Sequence, residues 1–365
     1  MDKGKELDLL LERSLGMLDE ETVLLGYREW FEKRKEVVGS VIGCVNEFPG
    51  GWGEFTSAYR YYGFNRSGEC VVFREWLPEA KEVYLIGDFN NWCKKGISLT
   101  RNDFGVWSCD WTYKDFPIKK SQRYKLYLLN SKGEWVYRNP AYTPRVIQDT
   151  ETNVFDSVFT TDLDEQYEFQ YEKPVLKDGL KIYECHIGMS QEKEAVASFN
   201  DFTETVLPRI VKGGYNCIQL MAIQEHAYYG SFGYHVNNFY AVSSRYGSIN
   251  DFKRLIDEIH RNGLIVLLDL VHSHASSNAI DGIGEMDGSG YQYFYSGKEG
   301  YHTQWDSRVF DYGKTEVLRF LLSNIRWWLE EYNLDGFRFD GVTSMLYKHH
   351  GKLNRNRLRF YWQIR

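Results

Sequence analysis

The spacing of apolar residues divides the chain into successive regions. Over residues 1–48, apolar side chains recur with helical period, among them Leu7, Leu10, Leu11, Trp30 and Phe31. Residues three and four apart share one face of a helix, so this pattern predicts an N-terminal helical segment. Over residues 49–160, short apolar runs alternate with Asn, Gly and Asp, which predicts a β-sandwich. Its strands are expected at 71–76, 83–87, 106–112, 124–128 and 135–137.

A charged stretch, residues 161–180, is predicted to be a linker to a third region over residues 181–350. There, strands at 181–186, 217–223, 264–271 and 337–340 alternate with amphipathic helices at 202–212, 252–261 and 315–332. Continuous apolar strands that alternate with helices are typical of a parallel sheet covered by helices. The pattern therefore predicts an α/β fold with four β–α units.

Composition narrows the range of partners. The net charge of −7 and the isoelectric point near 5.8 argue against nucleic acids and anionic membranes as partners. The aromatic content is 16%, and flat rings suit the apolar faces of sugars, although such rings more often fill cores. The six cysteines have no metal-binding spacing, and the longest apolar run, 264–268, is too short to span a bilayer. We expect a cytosolic protein that binds a neutral ligand and needs no metal or cofactor.

Charged residues end two of the predicted parallel strands. Arg338 and Asp340 lie two positions apart and therefore share one face of the last strand, while Asp269 ends an earlier strand and precedes His274. Catalytic groups gather at the carboxyl ends of parallel strands, and a neighbouring guanidinium keeps a carboxylate ionised, which suits a nucleophile. A structural ion pair is the alternative for Arg338 and Asp340 alone. His272 could suggest a metal site, but such residues are more often hydrogen-bonding groups of a loop.

Two segments resemble signature regions of the α-amylase superfamily, glycoside hydrolase family thirteen, in the form found in branching enzymes. They are residues 269–274 (DLVHSH) and 336–345 (GFRFDGVTSM). Residues 215–223, 225–235 and 320–330 agree with this resemblance, which extends over about residues 50–350. The resemblance implies that the four β–α units are the first half of a (β/α)8 TIM barrel.

The same resemblance implies a retaining transglycosylation on an α-1,4-glucan such as glycogen. Asp340 would attack the anomeric carbon, Arg338 would keep Asp340 ionised and oriented, and His274 would bind the sugar being cleaved, with support from Asp269. A 6-hydroxyl would then capture the glycosyl-enzyme and form an α-1,6 branch. Tyr234 resembles the aromatic platform under the reacting sugar, with a packed loop tyrosine as the alternative.

Further glucan contacts follow from the resemblance. The predicted sandwich is similar to a family forty-eight carbohydrate-binding module, most clearly at residues 87–92 (GDFNNW). This similarity implies glucan contacts from Trp76, Pro78, Trp92, Asp103 and Lys125, whereas Trp107 fits a core position equally well. In the catalytic region, Glu316 and Arg319 match a segment near substrate, with helix-surface charge as the alternative.

The resemblance stops near residue 350, and residues 351–365 form a basic tail that departs from the family pattern. The acid/base Glu and the third catalytic Asp of the family have no counterpart. We therefore expect an aberrant tail on an inactive fragment of an enzyme that is monomeric when full length; a natural short isoform is the alternative. A rival hypothesis is a glucan-binding protein without catalysis. The sequences of residues 271–274 (VHSH) and 341–345 (GVTSM) resemble hydrolytic or debranching relatives less well.

Overall fold

The computed structural model describes residues 28–160, 167–175 and 179–347. The chain separates into two compact units between Ala58 and Tyr59. The first unit contains helix α1 (Arg28–Glu47) and the short helix α2 (Gly51–Phe55). Helix α1 agrees with the predicted helical segment; the leucines at positions 7, 10 and 11 lie outside the described residues. Within the described ranges, no helix has the length and apolar content needed to cross a bilayer.

Two antiparallel sheets open the second unit and form the predicted β-sandwich. Phe64 of one sheet packs against Tyr124 of the other, with ring centroids 5.1 Å apart, and Phe73, Leu85 and Leu126 are fully buried between the sheets. The first sheet has the order β1-β2-β6-β5 and the second the order β4-β3-β7-β10-β9, with β8 also paired to β7. The strands are β1 (Gly63–Ser67), β2 (Cys70–Trp76), β3 (Glu82–Gly87), β4 (Ile97–Ser98), β5 (Thr100–Arg101), β6 (Val106–Thr112), β7 (Arg123–Leu129), β8 (Trp135–Arg138), β9 (Val146–Gln148) and β10 (Phe155–Val158).

A four-stranded parallel sheet forms the centre of the region from residue 179 to residue 347, the parallel-sheet region. Its strands lie in chain order, β11 (Ile182–Cys185), β12 (Cys217–Leu220), β15 (Ile265–Leu270) and β19 (Gly336–Phe339). The helices are α3 (Phe199–Asp201), α4 (Leu207–Lys212), α5 (Ile249–Arg261), α6 (Thr315–Glu331) and, after β19, the short α7 (Val342–Leu346). A π-helical turn, Phe202–Val206, joins α3 to α4. Ile218, Leu220, Val266 and Leu268 pack on the helix side, so the four predicted β–α units are confirmed.

Two small sheets extend beyond the carboxyl ends of the parallel strands. The hairpin of β13 (Gln224–Glu225) and β14 (Asn238–Val242) follows β12. After β15, the strands β16 (Ala275–Ser276), β17 (Tyr301–His302) and β18 (Ser307–Arg308) form a three-stranded sheet in the order β16-β18-β17. These insertions supply the walls of the candidate site.

The long loop between β16 and β17 also contacts the sandwich. The Asp281 carboxylate accepts a hydrogen bond from the Phe155 N–H at 2.9 Å. Tyr142 of the sandwich lies between Tyr240 and Phe320, with ring centroids 4.8 and 5.2 Å away. Further hydrogen bonds join Arg138 to Glu285, Glu79 to Asp287 and Gln292 to Trp76. The sandwich and the parallel-sheet region therefore share one continuous polar and aromatic boundary.

Candidate active site

The carboxyl edge of the parallel sheet brings the predicted catalytic residues together. The register of β15 and β19 places Asp269 opposite Arg338, and the Asp340 N–H continues the ladder to the Leu270 carbonyl at 3.0 Å. Phe337 packs towards the helices, so Arg338 lies on the opposite face of the strand. Phe339, which was expected to pack towards the helices as well, is 37% exposed.

One guanidinium nitrogen of Arg338 joins two carboxylates. Arg338 Nη1 donates to Asp340 Oδ1 at 2.8 Å and to Asp269 Oδ2 at 3.0 Å. Partial burial lowers the pKa of Arg338, but the two carboxylates outweigh this effect and raise it overall, so the cation persists. Among the described residues, Asp340 Oδ2 receives no hydrogen bond. Asp340 thus has one oxygen fixed by a cation and one left for chemistry.

Asp269 is fully buried and accepts hydrogen bonds from three side chains. Tyr234 donates its hydroxyl to Oδ2 at 2.6 Å, and Gln219 donates Nε2 to Oδ1 at 2.9 Å, in addition to Arg338. Burial raises the pKa of Asp269, while the Tyr234 hydroxyl and Arg338 act in the opposite direction. Asp269 therefore orients Tyr234 and Arg338 from behind the site. Sequence reasoning missed Gln219, although an amide inside the apolar strand Cys217–Leu220 was an available signal.

His274 is buried, and both of its ring nitrogens have protein partners. Nε2 lies 2.9 Å from the Tyr234 carbonyl oxygen and must donate to it, which leaves Nδ1 to accept from the Ser273 hydroxyl at 2.8 Å. Burial lowers the His274 pKa to about 4, so the ring is neutral at physiological pH. Both ring nitrogens are thus engaged by the protein, so a hydrogen bond from His274 to a sugar would have to replace one of these contacts. His272 hydrogen-bonds Asn324 at 3.0 Å, as expected for a loop histidine.

A cavity of about 590 Å³ opens above Asp340. Its walls include Tyr234, His274, Trp305 and the largely exposed Tyr228. Burial, followed by the hydrogen bond to Asp269, raises the Tyr234 pKa, so the hydroxyl stays protonated. The volume lies within the range typical of small-molecule sites.

The turn after Asp340 requires a glycine. Gly341 has φ +65°, and a Cβ on it would lie 2.3 Å from Ser273 Oγ. A side chain at this position would displace the segment that carries His274.

Glu316 and Arg319 lie elsewhere. The Glu316 carboxylate accepts a hydrogen bond from the Tyr62 hydroxyl at 3.0 Å, and the Arg319 guanidinium lies over the rings of Tyr61 and Tyr62. Neither residue lines the cavity above Asp340. The structure places both at the boundary with the sandwich, so any contact with glucan would occur there.

Three other predicted glucan contacts lie on the first sheet of the sandwich or beside it. Trp76 is half-buried, with its ring edge-on to Tyr293 and the centroids 5.4 Å apart. Pro78 is half-buried next to the β5–β6 turn, where Asp103 is exposed. Trp107 belongs to the core, because it is 6% exposed and its indole N–H is bonded to a backbone carbonyl.

Lys125 requires a correction. Its side chain is buried, and Nζ forms an ion pair with Asp156 at 3.0 Å, near Asp281 of the parallel-sheet region. The ammonium group is therefore already satisfied inside the protein and is not presented to a glucan. The pairing partner lies on β10, a strand that the sequence pattern did not predict.

Sequence reasoning missed an aromatic patch on the outer face of the second sheet. It consists of Tyr84, Tyr127, Trp135 and Tyr137 on β3, β7 and β8. The Trp135 ring stacks on Tyr127 at 4.7 Å, and Trp135 and Tyr137 are 42% and 41% exposed. Alternation along β8 could have revealed these two neighbours on one face. Trp92 lies in the β3–β4 loop, half-buried, with its indole N–H bonded to Asp88.

Comparison with known families gives two matches. Residues 61–143 match the carbohydrate-binding module 48 (isoamylase N-terminal domain), and residues 214–308 match the α-amylase catalytic domain. The fold resembles a pullulanase from group B Streptococcus solved with maltotetraose (TM-score 0.62, 21% identity, 77% of this chain and 42% of that one). It also resembles the catalytic module of the glycogen-degrading pneumococcal factor SpuA (TM-score 0.60, 18% identity, 80% and 49%).

The chain therefore combines a segment that matches carbohydrate-binding module 48 with a segment that matches part of the α-amylase catalytic domain. Over most of its length the chain is similar to eukaryotic 1,4-α-glucan-branching enzymes. It is 50% identical to the Emericella nidulans enzyme over 342 residues. This match covers 92% of this chain and 50% of that enzyme. The Dictyostelium discoideum enzyme is 48% identical over 328 residues (89% and 48%), and that of Solanum tuberosum 46% over 346 (93% and 40%). The chain spans about half the length of these curated relatives.

Proposed function

We propose that this chain supplies the nucleophile of a 1,4-α-glucan-branching reaction, and that this nucleophile is Asp340. The observation that carries the proposal is the position of Asp340. One of its oxygens is held by Arg338 at 2.8 Å, and the residue lines a cavity shared with Tyr234. The similarity to branching enzymes supports an α-1,4-glucan such as glycogen as the substrate.

The proposed reaction has two displacements. In the first, Asp340 Oδ2 bonds to the anomeric carbon, the α-1,4 C–O bond breaks, and an acid protonates the departing 4-oxygen. In the second, the conjugate base of that acid takes the proton of a glucan 6-hydroxyl, and the hydroxyl oxygen attacks the same carbon. The ester C–O bond to Asp340 breaks, the carboxylate is released, and an α-1,6 bond forms. Arg338 keeps Asp340 ionised before attack. Asp269 is unsuited to the acid role, because its carboxylate already accepts hydrogen bonds from three donors.

A glycosyl fluoride tests the nucleophile directly. Fluoride departs without a proton donor, so 5-fluoro-α-maltosyl fluoride should esterify the nucleophile whether or not an acid is present, and the ring fluorine should slow release of the ester. Mass spectrometry of digested protein should find the maltosyl ester on Asp340. Asp340→Asn should remain unlabelled, whereas Asp311→Asn, which changes a carboxylate away from the cavity, should label normally. Absence of label on the wild-type chain, or label on another residue, would contradict the assignment.

A second candidate function is glucan binding without catalysis, and the aromatic patch on the sandwich favours it. Exposed stacked rings of this kind suit the apolar faces of sugar chains. Co-sedimentation with glycogen, combined with complete resistance of Asp340 to the fluoride, would support this function alone. Co-sedimentation together with labelling would support both functions.

We also propose a reducing, cytosolic compartment. All six cysteines are free thiols, and burial raises the pKa of Cys185 to about 12, which makes that thiol unreactive. Thiol titration of denatured protein, prepared from its native cells under acid quenching, should find six reduced cysteines per chain. A stable disulfide would argue for another compartment.

A further inference from the structure

The hairpin of β17 and β18 carries a tryptophan into the candidate active site. Tyr301 and His302 pair with Arg308 and Ser307, and Trp305 lies in the tip between the two strands. The backbone N–H of Trp305 donates to the His302 carbonyl at 3.2 Å. The Tyr301 hydroxyl donates to the carboxylate of Asp306 and closes the tip. The backbone that holds Trp305 is therefore fixed by hydrogen bonds on both sides of the residue.

The Trp305 ring is held by packing as well. It stacks on the buried ring of His302, with centroids 4.1 Å apart and planes at 9°. It also contacts His274, with a centroid distance of 5.2 Å. Its six-membered edge passes over Gly341, where an added Cβ would lie 3.4 Å from Cζ3. The ring is thus positioned beside the residue that follows Asp340.

Trp305 is 37% exposed and lines the cavity above Asp340, in contrast to the core residue Trp328, which is fully buried. A large apolar ring that is fixed in orientation yet left open to a cavity gains most when a flat apolar surface covers it. Pyranose rings offer such a surface through the C–H groups of one face. Because His302 already supports the ring from behind, little conformational entropy is lost when a sugar binds.

We propose that Trp305 is a sugar platform of the active-site cavity. It stacks on a glucosyl unit of an α-1,4-glucan next to the unit that Asp340 attacks, while Tyr234 contacts the attacked unit. This inference rests on the proposed function, and it deepens that function by assigning the recognition of the neighbouring glucosyl unit to a residue outside the parallel sheet.

The test measures how well maltoheptaose protects Asp340 from 5-fluoro-α-maltosyl fluoride in the whole chain. In Trp305→Ala and Trp305→Leu, the maltoheptaose concentration that halves the labelling rate should rise about tenfold, the loss expected for one aromatic stacking contact. Trp305→Phe, which keeps a flat ring, should change that concentration by less than about threefold. Tyr113→Ala removes an exposed ring of the sandwich and should match the wild type.

The outcomes separate this inference from the proposed function. Labelling of Asp340 with wild-type protection in Trp305→Ala and Trp305→Leu would overturn the platform and leave the nucleophile intact. If the wild-type chain were not labelled, the nucleophile assignment would fail, and direct titration of maltoheptaose by calorimetry would then decide the platform with the same variants. If Trp305→Ala unfolds, as seen by circular dichroism, the comparison of the leucine and phenylalanine variants carries the result. Equal protection in those two would count against stacking.

Discussion

Replacement of Gly341 by alanine should show how strongly the turn after Asp340 depends on a residue without a Cβ. The φ of +65° costs an L-residue about 1–2 kcal/mol. The new Cβ would also lie 2.3 Å from Ser273 Oγ and 2.8 Å from Ser273 Cβ, and such overpacking costs about 1–3 kcal/mol more. We therefore expect the free energy of unfolding in urea to fall by about 2–5 kcal/mol. Labelling of Asp340 by the fluoride should slow, because a shift of residue 341 also moves Asp340, its neighbour in the chain.

Gly68 provides a matched control. Its φ is +62°, and no atom lies within 4 Å of an ideal Cβ. Gly68→Ala should therefore show only the backbone cost of about 1–2 kcal/mol. In a double-mutant cycle, Ser273→Gly should recover most of the additional loss of Gly341→Ala, because it removes the two atoms that would lie closer than 3.0 Å to the new Cβ. Equal losses for Gly341→Ala and Gly68→Ala would refute the steric argument.

Three further predictions concern charge and binding. Arg338→Met leaves Asp269 buried without its cationic donor and should slow labelling of Asp340 at least about tenfold. Arg338→Lys should recover part of this rate. An unchanged rate would show that the guanidinium does not prepare the nucleophile. Burial raises the pKa of Glu75 from 4.5 to about 8, so between these pH values the folded state retains a proton that the unfolded state releases. The contribution of this group to stability is therefore fully present below pH 4.5 and is lost as the pH rises to about 8. Glu75→Gln should flatten that slope in urea titrations across this range, and a slope as steep as the wild type's would assign the dependence to other groups. Trp135→Ala should weaken co-sedimentation with glycogen about tenfold while Tyr113→Ala does not, and equal binding by both would exclude the aromatic patch.

Sequence periodicity predicted the elements that are long or uniformly apolar. Strand β15 and helix α6 have patterns that only one buried environment satisfies, and both are present. Strand β1, with the sequence GFNRS, has no such pattern, because it is stabilised by pairing with β2. The two-residue strands β16 to β18 likewise leave no pattern in the sequence. They are held by pairing with each other and by hydrogen bonds from Arg308 to backbone carbonyls.

The candidate site was predictable where chemistry follows strand position. Alternation placed Arg338 and Asp340 on one face, and parallel pairing brought Asp269 to them. The burial of Lys125 could not be read from its own strand, because Asp156 comes from an unpredicted strand and Asp281 from a distant loop. Trp305 lies in a hairpin tip, where the spacing of residues along the chain does not indicate which way a side chain points.

The boundary between the sandwich and the parallel-sheet region has a consequence for how such proteins diversify. Residues 61–143 match a known module, yet the loop that carries Asp287 and Gln292 hydrogen-bonds two backbone groups inside it, the Glu79 N–H and the Trp76 carbonyl. A recombination event that imported a foreign module would leave those donors and acceptors unmatched. Inheritance should therefore keep the module and this loop together, and a chimaera built for biotechnology should exchange both as one unit.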